Sequence, residues 1–250
     1  MKAGRVGAVL LLAHGSSYPG AAATTRGLAR RVAQARPGTD VRVSFLDHAG
    51  PRPTEQLAAF ERAGAGPVTL VPLLLTSAYH DRVDVPAVIE RARLDGLRIP
   101  VDVTDVLGPV GGVVAPALLT GLRRRLSDTG TRFDAVVLAA AGTRDAAALS
   151  TVDLVAGLLG RGLGVPCLAA YASAAGPTPG EAVMRLTAVG ARRVAVAAYF
   201  LAPGLLHDAV VTAARAAGAV AVAEPLGTAP ELVRLVLDRA DAVSSALAAA

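Results

Sequence analysis

Residues 49–68 read AGPRPTEQLAAFERAGAGPV, and residues 175–194 read AGPTPGEAVMRLTAVGARRV. The two stretches align without a gap. Eight of the twenty positions are identical: Ala49, Gly50, Pro51, Pro53, Glu55, Gly64, Ala65 and Val68. A matching pair lies upstream of them, AVLLLAHGS at 8–16 and AVVLAAAGT at 135–143. Self-similarity of this kind marks a duplicated unit, so the chain is expected to fold as two homologous lobes. LSDTGTRF, Leu126–Phe133, reads as the linker, which gives an N-terminal lobe over 1–126 and a C-terminal lobe over 133–250.

Each lobe alternates short apolar runs with helical patterns. The runs are Val6–Ala13, Val41–Leu46, Val68–Leu75 and Val101–Val106, then Ala135–Ala140, Val165–Tyr171, Val194–Leu201 and Ala219–Ala223. They are short, β-branched and apolar on both faces, as buried parallel strands are. Ala22–Arg36 places Leu28 and Val32 on one helical face, and the C-terminal run from Asp241 reads as a fraying helix end. Val85–Leu94 opens with Asp84 as N-cap and Pro86 in the first turn, where a missing N–H costs little. The alternation predicts α/β architecture: two doubly wound, Rossmann-like lobes with parallel sheets and a cleft between them.

Composition narrows the function. Hydrophobic residues make up 53% of the 250, with mean hydropathy +0.49. No uninterrupted apolar stretch reaches the ~18 residues of a membrane helix. The run Ala8–Ala13 behind Lys2 and Arg5 is too short for a signal peptide and ends at His14. One cysteine, Cys167, excludes an intrachain disulfide and suits a reducing cytoplasm. The net charge of +5 fits a polyanionic small molecule. Nucleic acid is disfavoured, because tryptophan is absent, Tyr and Phe number four each, and no recognition motif is present. No glycine-rich dinucleotide fingerprint follows the first strand.

The two lobes differ where chemistry would sit. His14 corresponds to Ala141, Asp47 to Ser173 and His48 to Ala174. Lobe one therefore carries the polar groups, and lobe two repeats the scaffold. Ligands of open α/β sheets bind beyond the carboxyl ends of the strands. His14 follows the first strand, Asp47 and His48 the second, and Tyr79, His80 and Asp81 the third, all on one sheet edge. Two neutral imidazoles suit a borderline divalent metal such as Fe, Co, Ni or Zn, and they accept protons near neutral pH. No HExxH or CxxC accompanies them, so a closed structural zinc site is not expected. His207, within GLLHD, reads as a repeat relic or cleft wall, and Arg123–Arg125 as a solvated helix face.

AHGSS after the first strand, FLDHAGP after the second and VPLLLTSAYHDRVDVP after the third together resemble the sirohydrochlorin chelatases, the class II tetrapyrrole chelatases. The resemblance spans nearly the whole chain, since long forms of that family also contain two fused lobes. It implies ATP-independent insertion of Fe(II), Co(II) or sometimes Ni(II) into sirohydrochlorin, in siroheme or cobalamin biosynthesis. The metal is then substrate, with no tightly bound cofactor. The family's two active-site histidines match His14 and His80, the expected catalytic and metal-binding pair. Ser16, Ser17, Asp47, Tyr79 and Arg82 are expected substrate contacts, Arg82 through a carboxylate of the macrocycle. The family often has glutamate where this chain has Asp47. A cytoplasmic monomer or homodimer, without membrane or nucleic-acid partner, is expected. The rivals are a non-catalytic metal or tetrapyrrole carrier and a metal-assisted hydrolase.

Overall fold

The structure is a computed structural model that describes residues 7–76 and 84–249, with side chains up to Val243. The chain divides into two compact units, one of residues 1–107 with 233–250 and one of residues 108–232. These divisions fall at Leu107/Gly108 and Leu232/Val233, not within 126–133.

The first unit runs β1 (Gly7–Ala13), α1 (Ala21–Ala35), β2 (Thr39–Phe45), α2 (Pro53–Arg62), β3 (Val68–Pro72), α3 (Val85–Leu94) and β4 (Val101–Val103). All strand pairs are parallel, in the order β2-β1-β3-β4. β1 is central, with Leu10 and Leu11 wholly buried, because helices cover both faces of a parallel sheet. Leu57 and Phe60 of α2 and Val85 and Ala92 of α3 close one apolar core against Leu10 and Leu70.

The second unit contains α4 (Pro116–Ser127), β5 (Ala135–Ala140), α5 (Ala146–Leu163), β6 (Cys167–Tyr171), α6 (Pro179–Ala188), β7 (Val194–Ala198), α7 (Leu205–Ala216) and β8 (Ala221–Val222). Its sheet repeats the order of the first, β6-β5-β7-β8, again parallel. Two doubly wound lobes are therefore present, as the repeat predicts. The final helix, α8 (Pro230–Ala249), starts in the second unit and lies mostly in the first. There Asp241 pairs with Arg36 of α1 at 2.5 Å, and Arg239 donates to the Val106 carbonyl at 2.8 Å. The C-terminal stretch is thus helical through Ala249.

Several strands stop before their apolar runs do. The run from Val194 extends to Leu201, but β7 ends at Ala198. The run from Val68 extends to Leu75, but β3 ends at Pro72, after which Leu74 N–H turns back to the Pro72 carbonyl at 2.9 Å. β4 and β8 are also shorter than their runs, three and two residues long at one edge of each sheet. α3 occupies Val85–Leu94 as its pattern predicts, yet Asp84 makes no side-chain capping bond to it. Asp145 does cap α5, accepting from the Ala147 and Ala148 N–H groups.

The arginines of α4 are partly solvated, as expected, but two of them also hold partners. Arg124 pairs with Glu231 at 2.7 Å, and Arg125 donates to the Leu226 carbonyl at 2.8 Å, which tethers α4 within the second unit. α5 is long and apolar enough to cross a membrane by length and composition alone. Val152, Val155, Ala156 and Leu159 form its buried stripe, the pattern of a core helix.

Candidate active site

The order β2-β1-β3-β4 places a topological switch between β1 and β3, since successive connections leave β1 in opposite directions. Ligands of such sheets sit outside the strand ends at that point. His14 is the first residue beyond β1. It is exposed, and its Nδ1 lies 3.4 Å from the Gly15 carbonyl oxygen.

The turn after β1 fits closely against the turn after β2. Asp47 N–H donates to the His14 carbonyl at 2.8 Å, and Leu46 N–H to the Ala13 carbonyl at 3.0 Å. Gly15 lies at φ +98°, and a Cβ there would stand 1.8 Å from the Asp47 carbonyl oxygen. Only glycine meets both demands. Ser16 uses its hydroxyl to accept from Tyr18 N–H at 3.0 Å, and Ser17 is exposed beside it.

Asp47 and His48 occupy the tip of the β2–α2 loop. His48 has φ 58°, and Ala49 N–H closes the turn onto the Asp47 carbonyl at 2.7 Å. The Asp47 carboxylate accepts from His48 N–H at 2.8 Å through Oδ1, while Oδ2 lies 3.4 Å from His48 Nε2. Arg52 Nη1 stands 3.8 Å from Oδ1 and also donates to the Leu46 carbonyl. The backbone bond from His48 and the charge of its imidazole hold the Asp47 carboxyl below its usual range, with lesser help from Arg52 and His14. Arg26 of α1 braces the loop, donating to the Gly50 carbonyl at 2.7 Å with its guanidinium over Phe45.

The second unit repeats this backbone without the functional groups. Gly142 takes the place of Gly15, and its Cβ would again stand 1.8 Å from a carbonyl oxygen, that of Ser173. Ser173 N–H donates to the Ala141 carbonyl at 3.0 Å, and Ala174 has φ 62°. Gly50–Pro51 and Gly176–Pro177 are both cis. Where the first unit has Arg52, the second has Thr178, an N-cap engaged in a reciprocal capping box with Glu181.

The structure thus brings His14, Gly15, Asp47, His48 and Arg52 together and sets Ser16 and Ser17 on the same turn. Tyr79, His80, Asp81 and Arg82 lie outside the described residues. His207 falls in the first turn of α7, buried, with its ring edge-on to Phe200 at 5.8 Å. Sequence reasoning overlooked Arg52 and Arg26. The signal for Arg52 was present in the repeat: a charged residue replaces a good helix cap.

Among the described residues, no three His, Cys, Asp or Glu side chains stand close enough to enclose a metal ion. The arrangement is an open edge with imidazole and carboxylate donors, which can hold an ion through few ligands and release it.

A duplicated α/β fold with such an edge in one lobe is compatible with a chelatase-type protein. A family model, CbiX, matches residues 8–128 and 135–243, and the chain belongs to that family, the sirohydrochlorin chelatases. The sirohydrochlorin cobaltochelatase of Methanococcoides burtonii is 27% identical over 108 residues, 40% of this chain and 82% of that protein. SirB from Bacillus subtilis, solved with Fe3+, superposes with TM-score 0.82 at 21% identity, covering 94% of each chain. CbiX, described as the terminal enzyme of siroheme biosynthesis in denitrifying bacteria, gives TM-score 0.65 at 22% identity, over 94% of this chain and 98% of its own.

Proposed function

We propose that this protein inserts Fe(II) or Co(II) into sirohydrochlorin without ATP, in the cytoplasm. The observation that carries the proposal is the joined pair of turns bearing His14 and Asp47, reproduced in the second unit with Ala141 and Ser173 in their places. A backbone kept in both lobes and functionalised in one separates what the fold needs from what chemistry needs.

Metalation exchanges two pyrrole N–H protons for one divalent ion. The ion must lose water, and the protons must be taken up. His14 and, on the segment after β3, His80 bind the ion through neutral imidazole nitrogens. As the ion passes to the pyrrole nitrogens, an imidazole freed of metal accepts a proton. Asp47, joined to His14 through its backbone N–H, adds negative charge that favours the approaching dication. The many carboxylates of the macrocycle suit a basic chain, with Ser16, Ser17, Tyr79 and Arg82 as contacts. The cobaltochelatase relative supports Co(II), and the similar fold solved with Fe3+ is compatible with iron.

The test is anaerobic mixing of protein and sirohydrochlorin with Co(II), Fe(II) or Ni(II), followed by absorption against a no-enzyme control. Acceleration that is lost in His14→Ala and in His80→Ala is expected. Pigment binding with no acceleration by any of the three metals would make the protein a carrier. Full activity in both variants at limiting metal would remove the histidines from the mechanism.

A further inference from the structure

Two arginines grip the loop between β2 and α2, and the second unit makes the same loop without them. Arg52 Nη1 donates to the Leu46 carbonyl. Arg26 Nη2 donates to the Gly50 carbonyl at 2.7 Å, with its guanidinium 5.4 Å from the Phe45 ring centre. In the second unit Thr178 stands in place of Arg52. The buried Leu28, Ala29 and Val32 of α1 match Val155, Ala156 and Leu159 of α5, so Asp153 stands in place of Arg26. The bends are the same there, with Ser173 N–H on the Ala141 carbonyl and Ala174 left-handed. The turn therefore needs neither guanidinium.

Arg52 also displaces something useful. Thr178 Oγ1 accepts from Glu181 N–H at 3.3 Å and completes a helix cap. An arginine side chain has no acceptor. At the start of α2 only the return half of the cap remains, Arg52 N–H to Glu55 Oε2 at 2.9 Å. Loss of a good cap weakens a helix start, so the fold is not what favours arginine here.

Both side chains are open to a ligand. Arg26 is exposed, and the Arg52 side chain is 49% exposed. Each bonds the loop through one terminal nitrogen, and among the described residues the other two nitrogens of each guanidinium have no hydrogen-bond partner. A guanidinium held at one corner keeps a fork of N–H donors, which matches a carboxylate through paired bonds. The loop they hold is the one joined to His14 through Asp47 N–H.

We propose that Arg52 and Arg26 are carboxylate anchors, each binding an acidic side chain at the rim of the macrocycle and together seating it beside His14. The choice of ligand rests on the chelatase assignment.

Titration of metal-free sirohydrochlorin into the protein, followed by absorption, tests the anchors. Arg52→Thr, which installs the second unit's own residue, and Arg26→Gln are each expected to weaken pigment binding about fivefold at low salt, the upper range for an exposed ion pair. The difference should shrink in about 0.5 M NaCl. Circular dichroism checks that each variant is folded. Equilibrium dialysis with Co(II) alone separates an anchor from a brace of Asp47. Arg52 sets positive charge 3.8 Å from that carboxylate, so its removal should leave Co(II) affinity undiminished. Pigment affinity within twofold of the parent in either variant, or Co(II) affinity that falls as far as pigment affinity in Arg52→Thr, overturns the anchors. A parent that binds no sirohydrochlorin overturns both the anchors and the chelatase assignment. Pigment binding that depends on both arginines, without faster insertion of Co(II), Fe(II) or Ni(II), overturns the chelatase assignment alone and leaves the anchors standing.

Discussion

Gly15→Ala is the sharpest single perturbation of the first lobe. The residue lies at φ +98°, where an L side chain costs about 1–2 kcal/mol. The new Cβ would also stand 1.8 Å from the Asp47 carbonyl oxygen, and that atom is backbone, so it must retreat about 1.2 Å to reach even 3.0 Å. Overpacking of this kind costs about 1–3 kcal/mol. The sum is about 2–5 kcal/mol, a large share of the stability of an ordinary domain. Urea unfolding followed by circular dichroism measures it through the shift in midpoint at unchanged slope. Gly142→Ala is the matched control, with the same 1.8 Å approach to the Ser173 carbonyl, and is expected to lose a similar amount. The two should differ in metalation. Gly15→Ala displaces the turn bearing Asp47 and slows the reaction, whereas Gly142→Ala keeps the rate well below its lowered midpoint. Losses under about 1 kcal/mol in both variants would refute the close fit of these turns.

Two further predictions concern single groups. Backbone N–H groups of Arg193 and Arg192 hold the Asp134 carboxyl below its ordinary value of 3.8. A pKa depressed on folding stabilises above the unfolded value, and that stability is lost as pH falls through the folded one. Asp134→Asn should therefore be less stable than the parent at pH 7, with the gap closing below about pH 4; urea midpoints that keep a constant gap down to pH 2.5 would exclude a role for the charge. Burial pushes the Cys167 thiol up to about 12. Iodoacetamide at pH 8 should label the native protein roughly a thousandfold more slowly than the urea-unfolded chain, and equal rates would contradict that burial.

Much of the fold is legible in the sequence because its strands are buried on both faces. Ala135–Ala140 is strand along its whole apolar run, and α3 matches its pattern at both ends. Strand ends are less legible, because apolar residues continue into loops that are themselves buried: Tyr199 follows β7 and is 3% exposed. The partners of α4 and α8 are not legible at all. Arg124 meets Glu231, a residue 107 positions away, and helical periodicity carries no information about such a partner. For the site, comparison of the two lobes picks out His14, Asp47 and His48, since Ala13, Gly15, Ala49, Gly50 and Pro51 recur around them while they do not. Arg52 escapes notice because its value lies in a bond to a loop carbonyl and a carboxylate five residues back.

The left-handed residue at position 174 has a consequence of its own. It sits beside Ser173 on a turn already shaped to present a carboxylate and an imidazole, and Ala141 waits at the end of a strand as His14 does. Duplication has left this chain an unwritten copy of its own working edge. Three side-chain replacements, Ala141→His, Ser173→Asp and Ala174→His, would inscribe it on a backbone that already has the required bends, which makes the second lobe a ready host for engineered metal chemistry.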